Sequence, residues 1–375
     1  MTFFIIILYG ILGLFLLVTL VNVSTGPRLS HPPKKSRFTN PTISVLVPAR
    51  NEEHNLPACL ESLLALDPAP AEILVLDDHS TDKTREIIQG FAFKHKQVRG
   101  IRGKELPAGW VGKTWACHQL SQEASGEILV FTDADNTYHP AALERSVRWM
   151  QALNLDMLSA FPQQTLKTLP EKLVIPVVDL FVYSMLPLWL TRFSPFPSLA
   201  AANGQWMVFR KEAYDTLGGH KEMASEIVED VAMSRKTKKR GLHLLTTPGT
   251  GTVYGRMYRN AEEVRAGFAK NLFGLTGFHS GLFFLIFSML LLTMVIPYGL
   301  LIFSPGLAVA GTVILNLLIR MLLVLAYRHP PFVSIVLHPI SILYTARIAL
   351  HSWNSYRKGS ITWKGRAVIK EENTR

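Results

Sequence analysis

The stretch EILVFTDADN, residues 127–136, places four apolar residues, Ile128 to Phe131, directly ahead of two aspartates one residue apart, Asp133 and Asp135. In an extended segment residues i and i+2 point to the same face, about 7 Å apart, so both carboxylates are expected to face one site. Two close carboxylates repel unless a cation lies between or beside them. Hard divalent cations such as Mg2+ or Mn2+ take carboxylate oxygens together with phosphate oxygens. A metal bridging a diphosphate neutralises a leaving group and needs only one or two protein ligands. The pattern therefore reads as a buried strand that delivers carboxylates to a metal–diphosphate. Charge also collects after two further apolar runs: Pro48, Arg50, Asn51, Glu52 and Glu53 after the first, Asp77 and Asp78 after the second. Asp78 has no evident cationic partner nearby in sequence, and its carboxylate is suited to accept the imide N–H of uracil. Loop polarity or helix capping explains any one of these groups, but is a weak account of all three together.

Other stretches add chemistry. GWVGKTWA (109–116) sets Lys113 in a Gly-rich loop at a helix start, where backbone N–H groups also favour anions. Glu229 and Asp230 open a helix that ends in SRKTKKRG, so acid leads and base trails, as the helix dipole favours. With Glu226 close by, crowded carboxylates raise a pKa toward that of a useful base. YGRMYRN (254–260) supplies Arg256 and Arg259, either for a leaving group or for contact with a membrane surface. Gln205 and Trp206 adjoin Asn203 and Gly204, and a Trp beside polar side chains can stack on a sugar or shield an acceptor hydroxyl. The chain has no GxxxxGK[ST] loop and no GxGxxG, so neither a P-loop ATPase nor a nicotinamide-binding domain is supported. Cys59 and Cys117 are the only cysteines; neither has a metal-ligand spacing partner, and a reduced cytosolic domain needs no disulfide.

The elements that position these groups follow from periodicity. Strands are expected at 42–47, 72–78, 97–101, 127–132 and 155–161. Helices are expected between them: one with Leu56, Cys59, Leu60, Leu63 and Leu64 on one face, one opened by Ser80 as N-cap, and others over 113–124 and 139–153. Strand and helix in alternation imply a parallel sheet with helices on both faces. Ligands of such sheets bind beyond the carboxyl ends of the strands, where the charged groups stand.

The 375-residue chain has a net charge of +11 and a mean hydropathy of +0.20, raised by a few long apolar runs. Residues 3–21 carry no charge and are long enough to cross a bilayer. They lack a basic n-region and a small-residue cleavage site, so they read as an anchor rather than a signal peptide. Runs at 281–303 and 305–327 follow, the latter with Arg320, and a fourth at 331–350 is broken by His338, Pro339 and Arg347 and reads as re-entrant or interfacial. Lys34, Lys35 and Arg37 put the side after the first span in the cytoplasm, and the basic tail (Arg357, Lys358, Lys364, Arg366, Lys370) belongs there too. Two later crossings satisfy that parity and three do not. The basic excess suits anionic lipid; no aromatic-interleaved Lys/Arg stripe suggests nucleic acid. Residues 173–190 are apolar but hold Asp179, Pro176 and Pro187. They are expected to lie on or dip into the membrane beside the cleft and to guide an amphiphilic acceptor.

ISVLVPARNEEHNL, EILVLDDHSTDKT, GEILVFTDADN and IVEDVAM occur in this order. Over residues 42 to about 260 the chain resembles a family 2 glycosyltransferase. The resemblance implies an α/β GT-A (nucleotide-diphospho-sugar transferase) fold with a mostly parallel central sheet, here with transmembrane helices at both ends. It implies that Asp78 contacts the nucleotide base and that Pro48, Arg50 and Glu52 line the nucleoside pocket. It implies that Asp135 holds Mg2+ or Mn2+ on the diphosphate with Asp133 beside it, and that Asp230 is the general base. Lys113, Arg256 and Arg259 are leaving-group candidates, and Gln205, Trp206 and Glu229 stand near the acceptor or leaving group. Many processive members carry a Gln-x-x-Arg-Trp motif downstream of the base; it is absent here, which argues against polymer synthesis. The layout, with ELPAGWVGKTWA and ITWKGR, is similar to that of bacterial carotenoid and hopanoid-associated glycosyltransferases. The expected organisation is an anchor at 1–24, a cytoplasmic catalytic domain at 40–278 with the interfacial segment 171–199, a membrane region of two or three helices at 279–352, and a basic tail at 353–375, in the inner membrane. The expected reaction inverts the anomeric centre of a nucleotide sugar, UDP-glucose first among donors, on a lipid hydroxyl. A carotenoid or other terpenoid is the first acceptor and a diacylglycerol or sphingolipid the next; a polysaccharide synthase and a nucleotidyltransferase are the remaining alternatives.

Overall fold

The computed structural model describes residues 2–33, 39–363 and 366–367. Lys34, Lys35, Arg37, Lys364 and Lys370, on which the expected sidedness partly rests, lie outside the described residues. The chain divides into two units: Pro27–Thr165 with Leu190–Met257, and Met1–Gly26 with Leu166–Trp189 and Tyr258–Arg375.

The first unit is α/β. Its strands are β1 (Ile43–Ala49), β2 (Glu72–Asp77), β3 (Val98–Arg102), β4 (Ile128–Thr132), β5 (Asn136–Tyr138), β6 (Met157–Phe161), β7 (Gln163–Gln164), β8 (Trp206–Arg210), β9 (Leu244–Pro248) and β10 (Val253–Gly255). Seven of them form one sheet in the order β3-β2-β1-β4-β8-β6-β9. Neighbours pair parallel except β8, which runs antiparallel to both β4 and β6. The sheet is thus mixed but mostly parallel. Its strands read as near-continuous apolar runs because both faces are covered. Val45, Val47, Ile73, Val75, Val130, Trp206 and Val208 pack against helices Leu56–Leu64 and Ala142–Ala152. The alternate residues Leu46, Leu74, Leu76, Leu129, Phe131, Met207 and Phe209 pack on the other face with Ala116, Cys117 and Met233.

Chain order reverses at β1, which lies between β2 and β4, and this is where such sheets open a crevice. The β1–β2 register runs on to Ala49↔Asp77, whereas β1–β4 pairing ends at Leu46↔Phe131. Pro48, which has no N–H to donate, stands where β4 has already left β1.

Two local expectations change. Helix Thr84–Lys94 starts after Lys83, not at Ser80. The Ser80 N–H donates to Asp77 Oδ1 and the Thr84 N–H to Asp82 Oδ1, so two aspartates shape a turn before the helix begins. Asp133 and Asp135 are not in extended backbone either: β4 stops at Thr132, and the Asn136 N–H donates to the Asp133 carbonyl oxygen across a turn.

The second unit is helical. Its main helices are Thr2–Thr25, Leu169–Leu180, Ala261–Asn271, Ser280–Met294, Ile296–Phe303, Leu307–Tyr327 and His338–Arg357. Thr2–Thr25, Ser280–Phe303 and Leu307–Tyr327 are long and apolar enough to cross a membrane. Apolar helices therefore stand at the N-terminus and near the C-terminus. The run 331–350 is split between helices Pro331–Ile335 and His338–Arg357.

The segment expected at the interface is partly packed and partly exposed, with Trp189, Phe193 and Phe196 open and its first helix mostly buried. Helix Leu169–Leu180 continues as a wider π turn over Phe181–Met185, and its Val174, Val177, Leu180 and Tyr183 are buried. The backbone break before Leu188 is closed by the first helix. Asn22 Nδ2 donates to the carbonyls of Tyr183 (2.9 Å) and Leu186 (2.8 Å), and its Oδ1 accepts the Leu188 N–H (3.0 Å). Residues 166–189 and 258–278 thus group with the helices, where a single catalytic domain over 40–278 was expected, and 190–199 group with the sheet.

Candidate active site

The site is assembled at the carboxyl ends of β1, β2 and β4. Arg50 reaches from the loop after β1 to the loop after β2: its Nη1 donates to the carbonyls of Asp78 (2.6 Å) and His79 (3.2 Å). The Glu52 N–H donates to Thr84 Oγ1, and the Glu52 carboxylate accepts from Asn55 Nδ2. Asn51 and His79 both have positive φ, 53° and 55°, a left-handed backbone that Asn and His tolerate better than most side chains. The two loops are therefore locked as one wall, with Asp78 buried in it at 5 % exposure.

The turn after β4 faces Lys113, the second residue of helix Gly112–Glu123. Lys113 Nζ lies 2.8 Å from Asp133 Oδ1 and 3.0 Å from Glu229 Oε1. Burial works to lower its proton affinity, but Asp133 and Glu229 outweigh burial and hold it well above the usual lysine value.

Glu229 and Asp230 begin helix Glu229–Lys239. Asp230 Oδ2 accepts the Gly204 N–H at 2.8 Å and its Oδ1 accepts the Val231 N–H at 2.8 Å. Burial first, and the Glu229 carboxylate second, push Asp230 up to about 6, against the opposing pull of Lys113 and the two backbone N–H groups. The crowding expected from Glu226 is not the cause: Glu226 is exposed.

The backbone at Gly204 joins these groups. A Cβ at Gly204 would fall 2.9 Å from Lys113 Nζ, 3.2 Å from Glu229 Oε1 and 3.6 Å from Asp230 Oδ2. Glycine there lets the chain run between the lysine and both acids. Asn136 is likewise central: its Nδ2 donates to the Gln205 carbonyl and its Oδ1 accepts from Gln205 Nε2. Gly204, between the noted Asn203 and Gln205, was the signal available for this.

Of the acceptor candidates, Gln205 is in place. Its Nε2 lies 3.4 Å from Asp135 Oδ1, and its Oε1 accepts from Gln164 Nε2 at 2.9 Å. Asp133 and Asp135 thus meet different partners, as the turn dictates. The Arg256 N–H donates to the Asp135 carbonyl at 3.4 Å, which sets Arg256 beside the turn. One expectation fails. Trp206 is fully buried, donates Nε1–H to Ser146 Oγ and packs on Tyr138, so it is a core residue that no sugar reaches. Arg259 belongs to the helical unit, is exposed, and donates its N–H to Glu263 ahead of helix Ala261–Asn271.

Among the described residues no group of three or more His, Cys, Asp and Glu side chains could hold a metal ion by itself. The turn offers two carboxylates, an all-oxygen donor set that suits a hard cation completed by phosphate oxygens.

A mixed, mostly parallel α/β sheet whose chain order reverses at β1, with Asp78 and an acidic turn at its carboxyl edge, has the architecture of the GT-A fold. A mannosyltransferase from Pyrobaculum calidifontis, solved with GDP-Man and Mn2+, shares that fold: TM-score 0.56, 18% identity, covering 92% of this chain and 98% of that one. Residues 44–218 match the family model "Glycosyl transferase family 2". The 4,4'-diaponeurosporenoate glycosyltransferase of Staphylococcus aureus (strain USA300) is 26% identical over 363 residues, 90% of this chain and 92% of that protein. The chain is a glycosyltransferase, an enzyme of the EC 2.4 class, and its residues 44–218 carry the family 2 match.

Proposed function

We propose that the chain is a membrane-embedded inverting glycosyltransferase that moves a sugar, glucose from UDP-glucose in the first instance, to a hydroxyl of a carotenoid or related terpenoid lipid. The observation that carries the reading is Asp230. Its raised proton affinity and its fixed place beside Lys113 suit a base that takes a proton from an acceptor hydroxyl. Asp78, with Pro48, Arg50 and Glu52, receives the nucleoside. Asp135 and Asp133 hold Mg2+ or Mn2+, which neutralises charge on the diphosphate when bound. Lys113, Glu229 and Arg256 shape the charge around the leaving group, and Gln205 fixes Asp135. Helices Thr2–Thr25, Ser280–Phe303 and Leu307–Tyr327 cross the membrane, with the α/β unit on the cytoplasmic side.

The acceptor in the relative's name favours the lipid class, and it also raises a second reading. A diaponeurosporenoate is a carboxylate, which is ionised at neutral pH and needs no base. The two readings part at Asp230. Detergent-solubilised protein is incubated with UDP- and GDP-sugars and either a terpenoid alcohol or a terpenoid acid, and products are identified by mass spectrometry. A glycosylated alcohol with release of nucleoside diphosphate supports the proposal. Transfer to the acid alone selects the second reading. Release of pyrophosphate, or a polymer product, overturns both.

A further inference from the structure

The helical unit holds a buried cation that the catalytic chemistry leaves unused. Arg320 sits inside the apolar helix Leu307–Tyr327 with no exposed surface. Its Nε donates to the Ser334 carbonyl at 2.8 Å and its Nη1 to the Pro176 carbonyl at 3.2 Å, both neutral acceptors. Its Nη2 has no hydrogen-bond partner among the described residues. The same holds for Ser334 Oγ, Ser341 Oγ, Tyr298 OH and both ring nitrogens of His338. Ser334, His338 and Ser341 are buried at 0–1 % exposure. Tyr298 and His338 are within electrostatic reach of Arg320. Asp179, the carboxylate in reach among the described residues, is engaged at 2.7 Å by His329 Nε2.

Leaving one such polar atom unmet is destabilising, and more so for a charged group. A set of this size inside apolar helices calls for an occupant. The donors decide its chemistry. A guanidinium can only donate, two hydroxyls and a phenol can donate, and a neutral imidazole donates once. Helix His338–Arg357 also begins here, and its first-turn N–H groups favour negative charge. The missing partner is therefore an oxygen-rich anion. The route decides its form. On the same helix as Arg320, Ile314, Leu318, Met321 and Leu325 are exposed, so a visitor arrives through hydrocarbon.

We propose that Arg320, Ser334, His338 and Ser341 form a binding site for the oxyanion end of a lipid, a carboxylate or phosphate carried on an apolar chain. The site rests on the membrane reading and not on the assignment of the reaction. The test uses the full chain in a neutral detergent, with native mass spectrometry and thermal unfolding. Added palmitate or phosphatidylglycerol should raise the melting temperature and appear bound at one equivalent. The difference between those two tells carboxylate from phosphate. Hexadecanol, with the same chain and no charge, should bind about tenfold more weakly or less. Arg320→Met should lose the bound lipid. The milder pair Ser334→Ala with Ser341→Ala covers the case in which the arginine variant does not fold, and should weaken binding several-fold. If inorganic phosphate alone stabilises as well as the lipids do, the site is not a lipid site. If no ligand binds the native chain, or the serine pair binds as tightly as the native protein, the cluster holds water only and the proposal falls.

Discussion

Lys113 and Arg320 are both cations drawn in from the surface, one in each unit: the Lys113 side chain keeps 32% of its surface exposed, Arg320 none. Lys113 meets two carboxylate oxygens, at 2.8 and 3.0 Å. Arg320 makes its hydrogen bonds to two backbone carbonyls and keeps one nitrogen unmet among the described residues. A cation held between fixed acids tunes its neighbours: it pulls Asp230 down while burial and Glu229 push it up. A cation among neutral acceptors leaves its field for something that arrives later. Lys113 is thus a fixed instrument, and Arg320, in the site proposed above, a receptor.

The sharpest break in that contrast is at Asp230. Asp230→Asn should lower turnover on a hydroxyl acceptor by about 100-fold or more, the scale of a lost positioned base, while calorimetry finds nucleotide-sugar binding nearly intact. Near-native turnover would make Asp230 a helix-cap carboxylate and nothing more. Next in size is metal removal. EDTA should weaken UDP-glucose binding by at least about tenfold if the acidic turn works with a hard cation; equal affinity with and without EDTA overturns the metal assignment.

The tuning role of Lys113 has a signature in pH. A base works only when ionised, so turnover should rise with pH through about 6, where Asp230 loses its proton. Lys113 favours the ionised form, so Lys113→Met should move that limb to higher pH. A lower rate with an unmoved limb would leave Lys113 a leaving-group contact only. Gly204→Ala is a smaller disturbance. The added methyl meets the far end of a flexible lysine, so turnover should fall several-fold while the melting temperature drops by no more than ~4 °C. The smallest effect is expected at Arg259. Arg259→Ala should change turnover by less than about twofold, as surface substitutions usually do, whereas Arg256→Ala should reduce it further.

The sheet and its acidic edge were legible because apolar runs and strand-end charge are local signals. What failed depended on distant partners. Trp206 beside Asn203 and Gln205 looks like a binding residue; its neighbours in sequence do not reveal that β8 lies inside the sheet between β4 and β6. The paired aspartates were read as extended because the strand before them is, yet one carbonyl–amide contact, Asp133 to Asn136, turns the chain. Gly204 gathers residues 113, 229 and 230, none near it in sequence. Arg320 was visible as a lone charge in an apolar run, but Ser334 and Pro176 as its partners were not.

The first helix carries an obligation that its apolar sequence conceals. Asn22 satisfies three backbone groups at the break between Tyr183 and Leu188, and inside apolar surroundings no water replaces it. A generic anchor of equal length and greasiness would tether the chain yet leave that break open. Domain-swap and truncation strategies that treat residues 2–25 as an interchangeable tether should therefore yield protein that reaches the membrane and still misfolds. Restoring a single asparagine at the matching helical position should recover much of the loss.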